Sequence, residues 1–552
     1  MTVLHHKRDK ALLILVLLIA LFFRFYKLDS APPGLYPDVA MNGTNGLTAI
    51  KTGDFKIFYP ENNGREGLFI NIQALSMMVF GENVLAIKIV AAVIGFLTVL
   101  GTYLLVKEVF GSPKRPPKYN LNVTHIALLS AFFMAINFWH VNFSRIGFRA
   151  ISVPFVMVWG FYFLYRALRT KRSLDFIAAG IFFGLGFHTY ISYRIAPVII
   201  AIPFFVEVWK YNKTHYAQIK ESFKKGWGAV TKKFYIEDGW YKWDLMILAM
   251  VIVILPLLAF FVSNPDAFLG RSTQVSVFAS KNPIQILTAS TLKTLGQFNF
   301  MGDENWRHNY AGDPQLFWPV GILSLIGLIV VIREIFRRPF TLEDHGYLLF
   351  IVWLFVMLVP SFLSAEGIPH ALRSIGSLPA AMVIAGIGGV WLFERFTQGK
   401  HGLRGSMLTI AYLALALITV YEYNHYFNDW ANRSEVREAF TTRYVDVSNF
   451  INTLPAATRK YVVVNAPGVL VKDIPMPAQT VMFIAHTAER VSYLIPGQNG
   501  NANEASPDAV EVKANSVVIP LEEDAWMLSQ FQSYLPGSHI KQTSTGISYL
   551  EF

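Results

Sequence analysis

Two carboxylates near the N-terminal end are the residues best suited to chemistry. Asp38 ends the motif PPGLYPD (residues 32–38), and Glu66 ends the motif YPENNGRE (residues 59–66). The prolines and the glycine predict a turn that holds Asp38 close to the preceding apolar segment. A carboxylate can take a proton from a substrate hydroxyl, and two carboxylates can share a divalent cation. We expect Asp38 and Glu66 to be catalytic, with turn chemistry at Asp38 and helix capping at Glu66 as alternatives.

Arginines and their polar neighbours form the second set of candidates. A guanidinium fork matches phosphate oxygens, which makes these residues candidates for phosphate binding: Arg65, Arg145, Arg149, Arg194, Arg307 and Arg373. Their neighbours are candidates to line a substrate or acceptor pocket: Asn62, Asn63, His188, Tyr190, Tyr193, Asn305, Trp306, His308 and His370. Arginine at a membrane edge is often only an anchor. Five of these six, however, stand at loop ends that we predict to be external, where the positive-inside rule disfavours them. The pattern indicates a site for a membrane-borne phosphorylated donor.

Composition identifies the scaffold that must position these residues. The chain has 552 residues, of which 53% are hydrophobic and only 15% charged, whereas a soluble protein carries about 25% charged residues. This excludes a set of soluble domains and a disordered chain, and the absence of cysteine excludes a disulfide scaffold. No Walker-type loop indicates ATP binding. The remaining class is a polytopic membrane protein.

Hydrophobic segments long enough for a bilayer number eleven. We predict spans at residues 11–25, 84–106, 123–141, 151–165, 174–190, 191–209, 245–262, 316–332, 347–363, 375–393 and 407–423. With the N-terminus in the cytoplasm, the inside segments hold 25 Lys and Arg and the outside segments before the last span hold 13. This asymmetry follows the positive-inside rule and explains the net charge of +11 without a nucleic-acid partner.

The remaining segments predict the domain organisation. Residues 1–424 form a transmembrane domain whose external loops, 27–83 and 264–315, make the active-site cavity, and residues 67–80 form an interfacial helix. Residues 425–552 form a small external α/β domain, with helices at 434–452 and 523–534 and strands at 461–464, 516–519 and 546–550. The predicted fold is therefore mainly α, a polytopic helical bundle with an α/β appendage.

Five motifs resemble those of GT-C class membrane glycosyltransferases, in the group of protein O-mannosyltransferases and bacterial aminoarabinose transferases (families 39 and 83). They are PPGLYPD (32–38), NNGRE (62–66), SRIGFR (144–149), NWRHN (305–309) and ALRSIG (371–376). One departure is that Val39 follows Asp38, where the family usually has a second acid, so that role is missing or has moved to Glu66. The Trp-Trp-Asp-Tyr-Gly motif of oligosaccharyltransferases is absent, which disfavours that relative.

The resemblance implies a polyprenyl-phosphate sugar donor and an acceptor hydroxyl on the external side of the plasma membrane. Asp38 would be the general base in a displacement with inversion, and the arginines would stabilise the departing lipid phosphate. Glu66 would bind the acceptor or hold a divalent cation with Asp38, although no cofactor is required by the sequence. A transporter or flippase for a lipid-linked sugar is the leading alternative. Such a protein should carry ionisable groups near the bilayer midplane, and the predicted spans after the first are nearly free of them. A non-catalytic scaffold would not explain the arginines.

Overall fold

The chain forms two compact units. The computed structural model describes residues 2–111, 121–224, 228, 231–268, 276–337, 345–399, 401–496 and 515–552. Parts of the predicted loop 264–315 and of the predicted domain 425–552 lie outside these described residues. The first unit, called here the helical unit, comprises Met1–Tyr26 and Ala91–Tyr426; the second, called the mixed unit, comprises Lys27–Val90 and Phe427–Phe552.

The helical unit is built from apolar helices. Their bounds are Thr2–Phe25, Val84–Phe110 (which starts in the mixed unit), Val123–Ile136, Phe138–Phe143, Ser152–Thr170, Ser173–Gly186, Pro197–Lys224, Tyr241–Ser263, Pro283–Gly296, Trp318–Arg337, His345–Val356, Val359–Phe362, Ala371–Ser374, Leu378–Thr397 and His401–Tyr423. Each of the eleven predicted spans falls on one or more of these helices. The predicted division between residues 190 and 191 is also present, since helix Ser173–Gly186 ends before it and a short 3₁₀ helix, Ile191–Ile195, follows.

Seven helices among the described residues are long and apolar enough to cross a membrane. They are Val84–Phe110, Arg149–Thr170, Ile191–Tyr216, Tyr241–Ser263, Trp318–Phe336, Ala371–Thr397 and Gly402–Asn432. The prediction of a multi-pass membrane protein is therefore confirmed. Three other predicted spans correspond to shorter apolar helices, Val123–Ile136, Ser173–Gly186 and Gly346–Phe362. The first stops early because Asn137 caps a new helix, its side chain accepting a hydrogen bond from the His140 amide at 3.1 Å.

Glycines let two of the long helices approach very closely. A Cβ atom at Gly327 would collide with the carbonyl of Ile384, and one at Gly388 would collide with the carbonyl of Leu323. Helices Trp318–Arg337 and Leu378–Thr397 thus pack backbone to backbone. Small residues at a contact are typical of membrane helix pairs, whose association depends on close packing more than on the hydrophobic effect.

A five-stranded sheet forms the centre of the C-terminal part of the mixed unit. The strands of the mixed unit are β1 (Phe58–Tyr59), β2 (Arg65–Glu66), β3 (Arg459–Val463), β4 (Leu470–Val471), β5 (Ile474–Pro475), β6 (Val491–Leu494), β7 (Ser516–Pro520), β8 (His539–Gln542) and β9 (Ser548–Glu551). The sheet has the order β6-β3-β7-β9-β8. Strand β3 is parallel to both β6 and β7, whereas β9 is antiparallel to β7 and β8.

Helices cover both faces of this sheet. Val462, Val517 and Ile519 pack in one buried cluster, together with residues of helices Thr442–Thr453 and Gln479–Ile484. Tyr461, Val463 and Val518 belong to a second cluster, together with residues of helix Ala525–Tyr534. Because neighbours along a strand point to opposite faces, this alternation shows an α/β arrangement in the C-terminal part of the mixed unit. The predicted helix 434–452 is divided into Ser434–Ala439 and Thr442–Thr453, because Thr441 adopts a left-handed conformation (φ 50°).

The segment Lys27–Val90 belongs to the mixed unit, although we predicted residues 27–83 as a loop of the transmembrane domain. It contains helix Pro37–Thr52, the hairpin β1–β2 and helix Gly67–Phe80. The Leu35 carbonyl accepts hydrogen bonds from the hydroxyls of Thr441 and Thr480, both at 3.0 Å. Met41 joins Val471 and Met476 in a small buried cluster. These contacts account for the grouping, and sequence spacing could not reveal them.

Candidate active site

Asp38 lies in the first turn of helix Pro37–Thr52. Pro37 stands at the start of the helix, where its fixed φ suits a helix and its missing N–H is not needed. Asp38, Asn42 and Asn45 follow one another at spacings of four and three residues, so they share one face of this helix. The helix ends at Gly53, which adopts a left-handed conformation (φ 75°). Asn62 and Arg65 form hydrogen bonds with residues on this polar face.

The hairpin β1–β2 presents Asn62 to this face. Asn62, Asn63 and Gly64 all have positive φ angles, of 52°, 62° and 82°, a conformation that asparagine and glycine tolerate best. The tight turn they form lets the side-chain amide of Asn62 donate a hydrogen bond of 2.9 Å to Oδ1 of Asp38. No residue of the described ranges donates a hydrogen bond to the other Asp38 oxygen. Asp38 is half-buried, oriented through one oxygen and accessible at the other.

Arg65 occupies the interior of the same cluster. Its guanidinium is buried and donates to Oδ1 of Asn42 at 2.7 Å and to Oδ1 of Asn45 at 2.8 Å, with Glu61 at 4.0 Å. Sequence reasoning selected Arg65 for phosphate binding but did not select the two asparagines. Their spacing of four and seven residues from Asp38, which places all three on one helix face, was the available signal. Arg65 therefore ties strand β2 to helix Pro37–Thr52.

Replacing Arg65 with Met should destabilise the protein. The substitution leaves the buried side-chain oxygen of Asn42 and the half-buried one of Asn45 without their donor, at a cost of about 2–4 kcal/mol. A lower midpoint of thermal unfolding in detergent would measure this. The matched control is Arg437→Met, because Arg437 is an exposed arginine of the same unit. Equal midpoints for the two variants would contradict the proposed tie.

Glu66 is buried at the start of helix Gly67–Phe80, with 4% of its surface exposed. It occupies the N-cap position, yet its side chain makes no capping hydrogen bond to the helix amides. The alternative explanation, that Glu66 serves only as a helix cap, is therefore not supported. Burying a carboxylate is costly unless it is paired. Its place next to Arg65 on strand β2 keeps Glu66 among the candidate site residues.

Arg145, predicted to bind phosphate, is committed to the backbone of the helical unit. It is fully buried, and its guanidinium donates to the carbonyls of Phe23 at 2.8 Å and Tyr26 at 2.7 Å. Arg24 does the same in return, donating to the carbonyls of Met134 at 3.0 Å and Ala135 at 2.8 Å. Arg145 thus binds carbonyls at the C-terminal end of helix Thr2–Phe25, which carries Arg24. Arg24 binds carbonyls at the C-terminal end of helix Val123–Ile136, and positive charge is favourable at both ends. This geometry favours a structural role for Arg145 over phosphate binding.

The other arginines of the helical unit have varied surroundings. Arg194 donates to the Phe268 carbonyl at 2.8 Å and lies 4.2 Å from the centre of the Phe268 ring. Arg373 donates to the Ser364 hydroxyl and to the Glu366 carbonyl. Arg149 lies 5.3 Å from the centre of the Tyr190 ring, a cation–π contact. Arg149 and Tyr190 are thus two predicted site residues that the structure brings together.

Two residues predicted to line the pocket, His188 and Tyr193, instead form hydrogen bonds to helix carbonyls. His188 Nε2 donates to the Val253 carbonyl at 2.8 Å, and the Tyr193 hydroxyl donates to the Phe183 carbonyl at 2.9 Å. Both side chains are buried, and the Tyr193 ring occupies the space that a side chain at Gly186 would need. These contacts are the ones expected of residues that hold membrane helices together.

Asp303 organises the remaining predicted residues, although we did not select it. Its Oδ1 accepts from the Asn305 amide at 2.8 Å, and its Oδ2 accepts from His308 Nδ1 at 2.9 Å and from the Ala371 amide at 2.8 Å. His370 Nδ1 lies 3.9 Å from the same Oδ2. The segment DENWRHN (residues 303–309), which contains the motif NWRHN, thus folds through side-chain-to-backbone turns of the kind that Asp and Asn favour.

The other members of the motif surround this carboxylate. Asn305 Oδ1 accepts from the Arg307 amide at 3.0 Å and from Arg307 Nε at 3.2 Å. The Trp306 ring lies 5.0 Å from that of Tyr310. The structure therefore brings together Asn305, Trp306, Arg307, His308 and His370 in the helical unit, as it brings together Asp38, Asn62, Asn63, Arg65 and Glu66 in the mixed unit.

Comparison with known proteins supports the resemblance seen in the motifs. Residues 68–220 match the model of the family described as dolichyl-phosphate-mannose-protein mannosyltransferase. A search among curated proteins found no matching sequence.

Two solved structures share the fold over almost the whole chain. ArnT from Cupriavidus metallidurans, solved with undecaprenyl phosphate, is 14% identical with a TM-score of 0.53, and the match covers 98% of this chain and 97% of ArnT. The oligosaccharyltransferase AglB from Archaeoglobus fulgidus, solved with an inhibitory peptide and dolichol-phosphate, is 12% identical with a TM-score of 0.50, covering 99% of this chain and 74% of AglB.

The fold and the family match define the class. The chain has the GT-C fold of membrane glycosyltransferases, which confirms the predicted fold class. Within that class it is similar to the protein mannosyltransferase and ArnT group, as the five motifs indicated. The matched proteins are glycosyltransferases, so they support the predicted class of enzyme.

Proposed function

We propose that this protein is an integral-membrane glycosyltransferase that moves a sugar from a polyprenyl-phosphate donor to an acceptor hydroxyl. The family match and the fold shared with ArnT and AglB support this proposal, because those structures hold undecaprenyl phosphate and dolichol-phosphate respectively. The lysine and arginine distribution further supports a cytoplasmic N-terminus, an external C-terminal segment and a reaction at the outer face of the plasma membrane.

The observation that carries the proposal is the geometry of Asp38. Asn62 fixes one carboxylate oxygen, and no described residue donates a hydrogen bond to the other. A general base needs this combination of orientation and access. In the reaction, the acceptor oxygen bonds to the anomeric carbon while the bond from that carbon to the phosphate oxygen breaks. The hydroxyl proton goes to Asp38, and polyprenyl phosphate leaves.

Cations must stabilise the phosphate as it departs. Guanidinium groups that are already in place do so without reorganisation. Arg149 and Arg307 belong to the motifs SRIGFR and NWRHN, and we propose both as phosphate-binding residues. Arg65, Arg194 and Arg373 remain candidates. Glu66 would bind the acceptor or hold a divalent cation with Asp38, and no nucleotide is needed because the lipid phosphate is itself the leaving group.

The fate of the donor bond tests the proposal against the transporter alternative. The protein is reconstituted in vesicles whose outer leaflet contains a polyprenyl-phosphate sugar labelled in both lipid and sugar. We expect protein-dependent release of polyprenyl phosphate and transfer of the label to an acceptor supplied from a membrane extract. Movement of the intact donor to the inner leaflet, with no bond cleavage, would instead identify a flippase.

Asn62 is predicted to act as a positioning residue for Asp38. Asn62→Gly keeps the positive φ angle but removes the amide donor, and we expect kcat to fall about 10- to 100-fold with little change in KM. Asn63→Gly makes the same backbone change one residue later, where the structure describes no side-chain hydrogen bond. The two variants should therefore differ in kcat. Equal losses would show that hairpin rigidity, not the hydrogen bond to Asp38, is what matters.

A further inference from the structure

Two imidazoles and a carboxylate converge in the helical unit. Asp303, His308 and His370 each offer one ligand atom, and the three atoms lie within 4.8 Å of one another. The His308 Nδ1 to Asp303 Oδ2 distance is 2.9 Å, and the His370 Nδ1 to Asp303 Oδ2 distance is 3.9 Å. In a tetrahedral zinc site with bonds of about 2.0–2.2 Å, ligand atoms lie roughly 3.3–3.5 Å apart. The two observed distances lie on either side of that value.

Backbone groups already orient the carboxylate. The amides of Asn305 and Ala371 donate to its two oxygens, each at 2.8 Å. Ala371 begins a segment long enough to cross the membrane, Ala371–Thr397. Its amide therefore holds Oδ2 of Asp303 against a rigid element. A carboxylate oxygen can accept one amide hydrogen bond and still coordinate a cation. Outer contacts of this kind typically orient metal ligands.

The imidazoles are also fixed. The His308 ring packs 5.7 Å from the ring of Phe143 and 6.0 Å from that of Phe148, and the His370 ring lies 5.1 Å from His308. His308 and Asp303 are both buried. Aromatic walls limit the access of water, which strengthens the attraction between a cation and the carboxylate. Since Asp303 only accepts, neutral His308 carries its proton on Nδ1; coordination through Nδ1 would move that proton to Nε2.

We propose that Asp303, His308 and His370 form a binding site for a transition-metal dication of the zinc type. Two imidazoles and one carboxylate suit Zn²⁺, Co²⁺ or Ni²⁺, whereas Mg²⁺ and Ca²⁺ prefer oxygen ligands throughout. Three protein ligands leave a fourth position open to water or to an oxygen of an anionic substrate. The site differs in its residues from the Asp38 and Glu66 pair considered above. It does not depend on the transferase proposal, because metal content can be measured without turnover.

Metal titration of the full-length protein tests this site. The protein is purified without a polyhistidine tag, stripped with a chelator and titrated with Zn²⁺ alone or Co²⁺ alone. We expect one equivalent of Zn²⁺ per chain and, with Co²⁺, the visible absorption of a four-coordinate ion. The chain has no cysteine, so thiolates cannot contribute to either signal. Failure of the stripped wild-type protein to take up a stoichiometric ion would overturn the proposal.

Variants identify the ligands. His308→Gln and His370→Gln should each weaken Zn²⁺ binding by more than about 100-fold, since even outer contacts are worth 10- to 100-fold. His425→Gln is the matched control: His425 Nε2 lies 3.6 Å from Asp313 in the same unit, and this pair belongs to no cluster of three ligands in the part of the chain that the structure describes. Equal uptake by all three variants would mean adventitious binding and would contradict the site.

One measurement covers the case in which a variant does not fold. X-ray absorption of the zinc-loaded wild-type protein should show two imidazole nitrogens and a carboxylate oxygen around the metal. A shell without two imidazole nitrogens would overturn the assignment. A variant that loses transferase activity but keeps its metal, or one that loses its metal but keeps activity, would show that metal binding and the proposed reaction are independent.

Discussion

Asp38→Asn is expected to reduce the rate of sugar transfer by about 10²- to 10⁴-fold, the usual contribution of a general base. The side chain keeps its size, and its carbonyl oxygen can still accept the hydrogen bond that Asn62 donates to Oδ1 of Asp38. Donor binding and expression should therefore be largely retained. The measurement is a single-turnover assay with saturating lipid donor, combined with donor binding on the same preparation.

Asp54→Asn is the matched control for this experiment. Asp54 lies in the same segment, Lys27–Val90, and is an exposed carboxylate. The variant should transfer sugar at the wild-type rate, which separates the loss of one particular proton acceptor from a general change in charge. Full activity of Asp38→Asn would remove the proposed base, and the mechanism would then have to be rebuilt around another acceptor such as Glu66.

Gly388→Leu is expected to have the largest effect on stability. At this position even a Cβ atom would collide with the Leu323 carbonyl and would come within 2.7 Å of the Gly327 nitrogen. The surrounding atoms are backbone and cannot rotate away, so helices Trp318–Arg337 and Leu378–Thr397 would have to separate. We expect a loss of at least about 3 kcal/mol, at the upper end for an overpacked site, and little monodisperse protein.

Gly405→Leu makes the same change where there is room for it. No described atom lies within 4 Å of the position that a Cβ would take at Gly405. Yield and unfolding midpoint at a fixed scan rate should match those of the wild-type protein, and the fixed rate matters because membrane proteins often unfold irreversibly. If both leucine variants behave alike, the close helix contact is not what stabilises this part of the bundle.

The main elements of the fold could be predicted because their signals are local. Apolar runs of bilayer length correspond to helices, and the β-branched runs at 461–464 and 516–519 coincide with strands β3 and β7. Helix Gly67–Phe80 has the predicted bounds, and its interfacial location stays a prediction. Helix Pro37–Thr52 was missed, although Pro37 and Gly53 are ordinary start and stop signals. The packing of this helix near Val471 and Met476 depends on contacts more than 400 residues apart in sequence.

The candidate site was predictable only in part. Asp38 and Asn62 were selected from their motifs, but their hydrogen bond required the left-handed turn at Asn62 and Asn63 to form. The positive-inside rule selected the external arginines together and could not distinguish phosphate-binding from structural roles among them. The structure separates them, because Arg145 binds helix carbonyls that no sequence pattern places next to it. Asp303 was overlooked since its partners include a backbone amide, at Ala371, which carries no sequence signal.

The anomeric configuration of the product tests the central claim most directly. With Asp38 deprotonating the acceptor, the hydroxyl attacks once, from the side opposite the departing phosphate. Nuclear magnetic resonance of the product, made from a donor of known configuration, should therefore show inversion at that carbon. Retention would require two successive displacements through a sugar attached to the protein, and it would contradict the assignment of this carboxylate as a base.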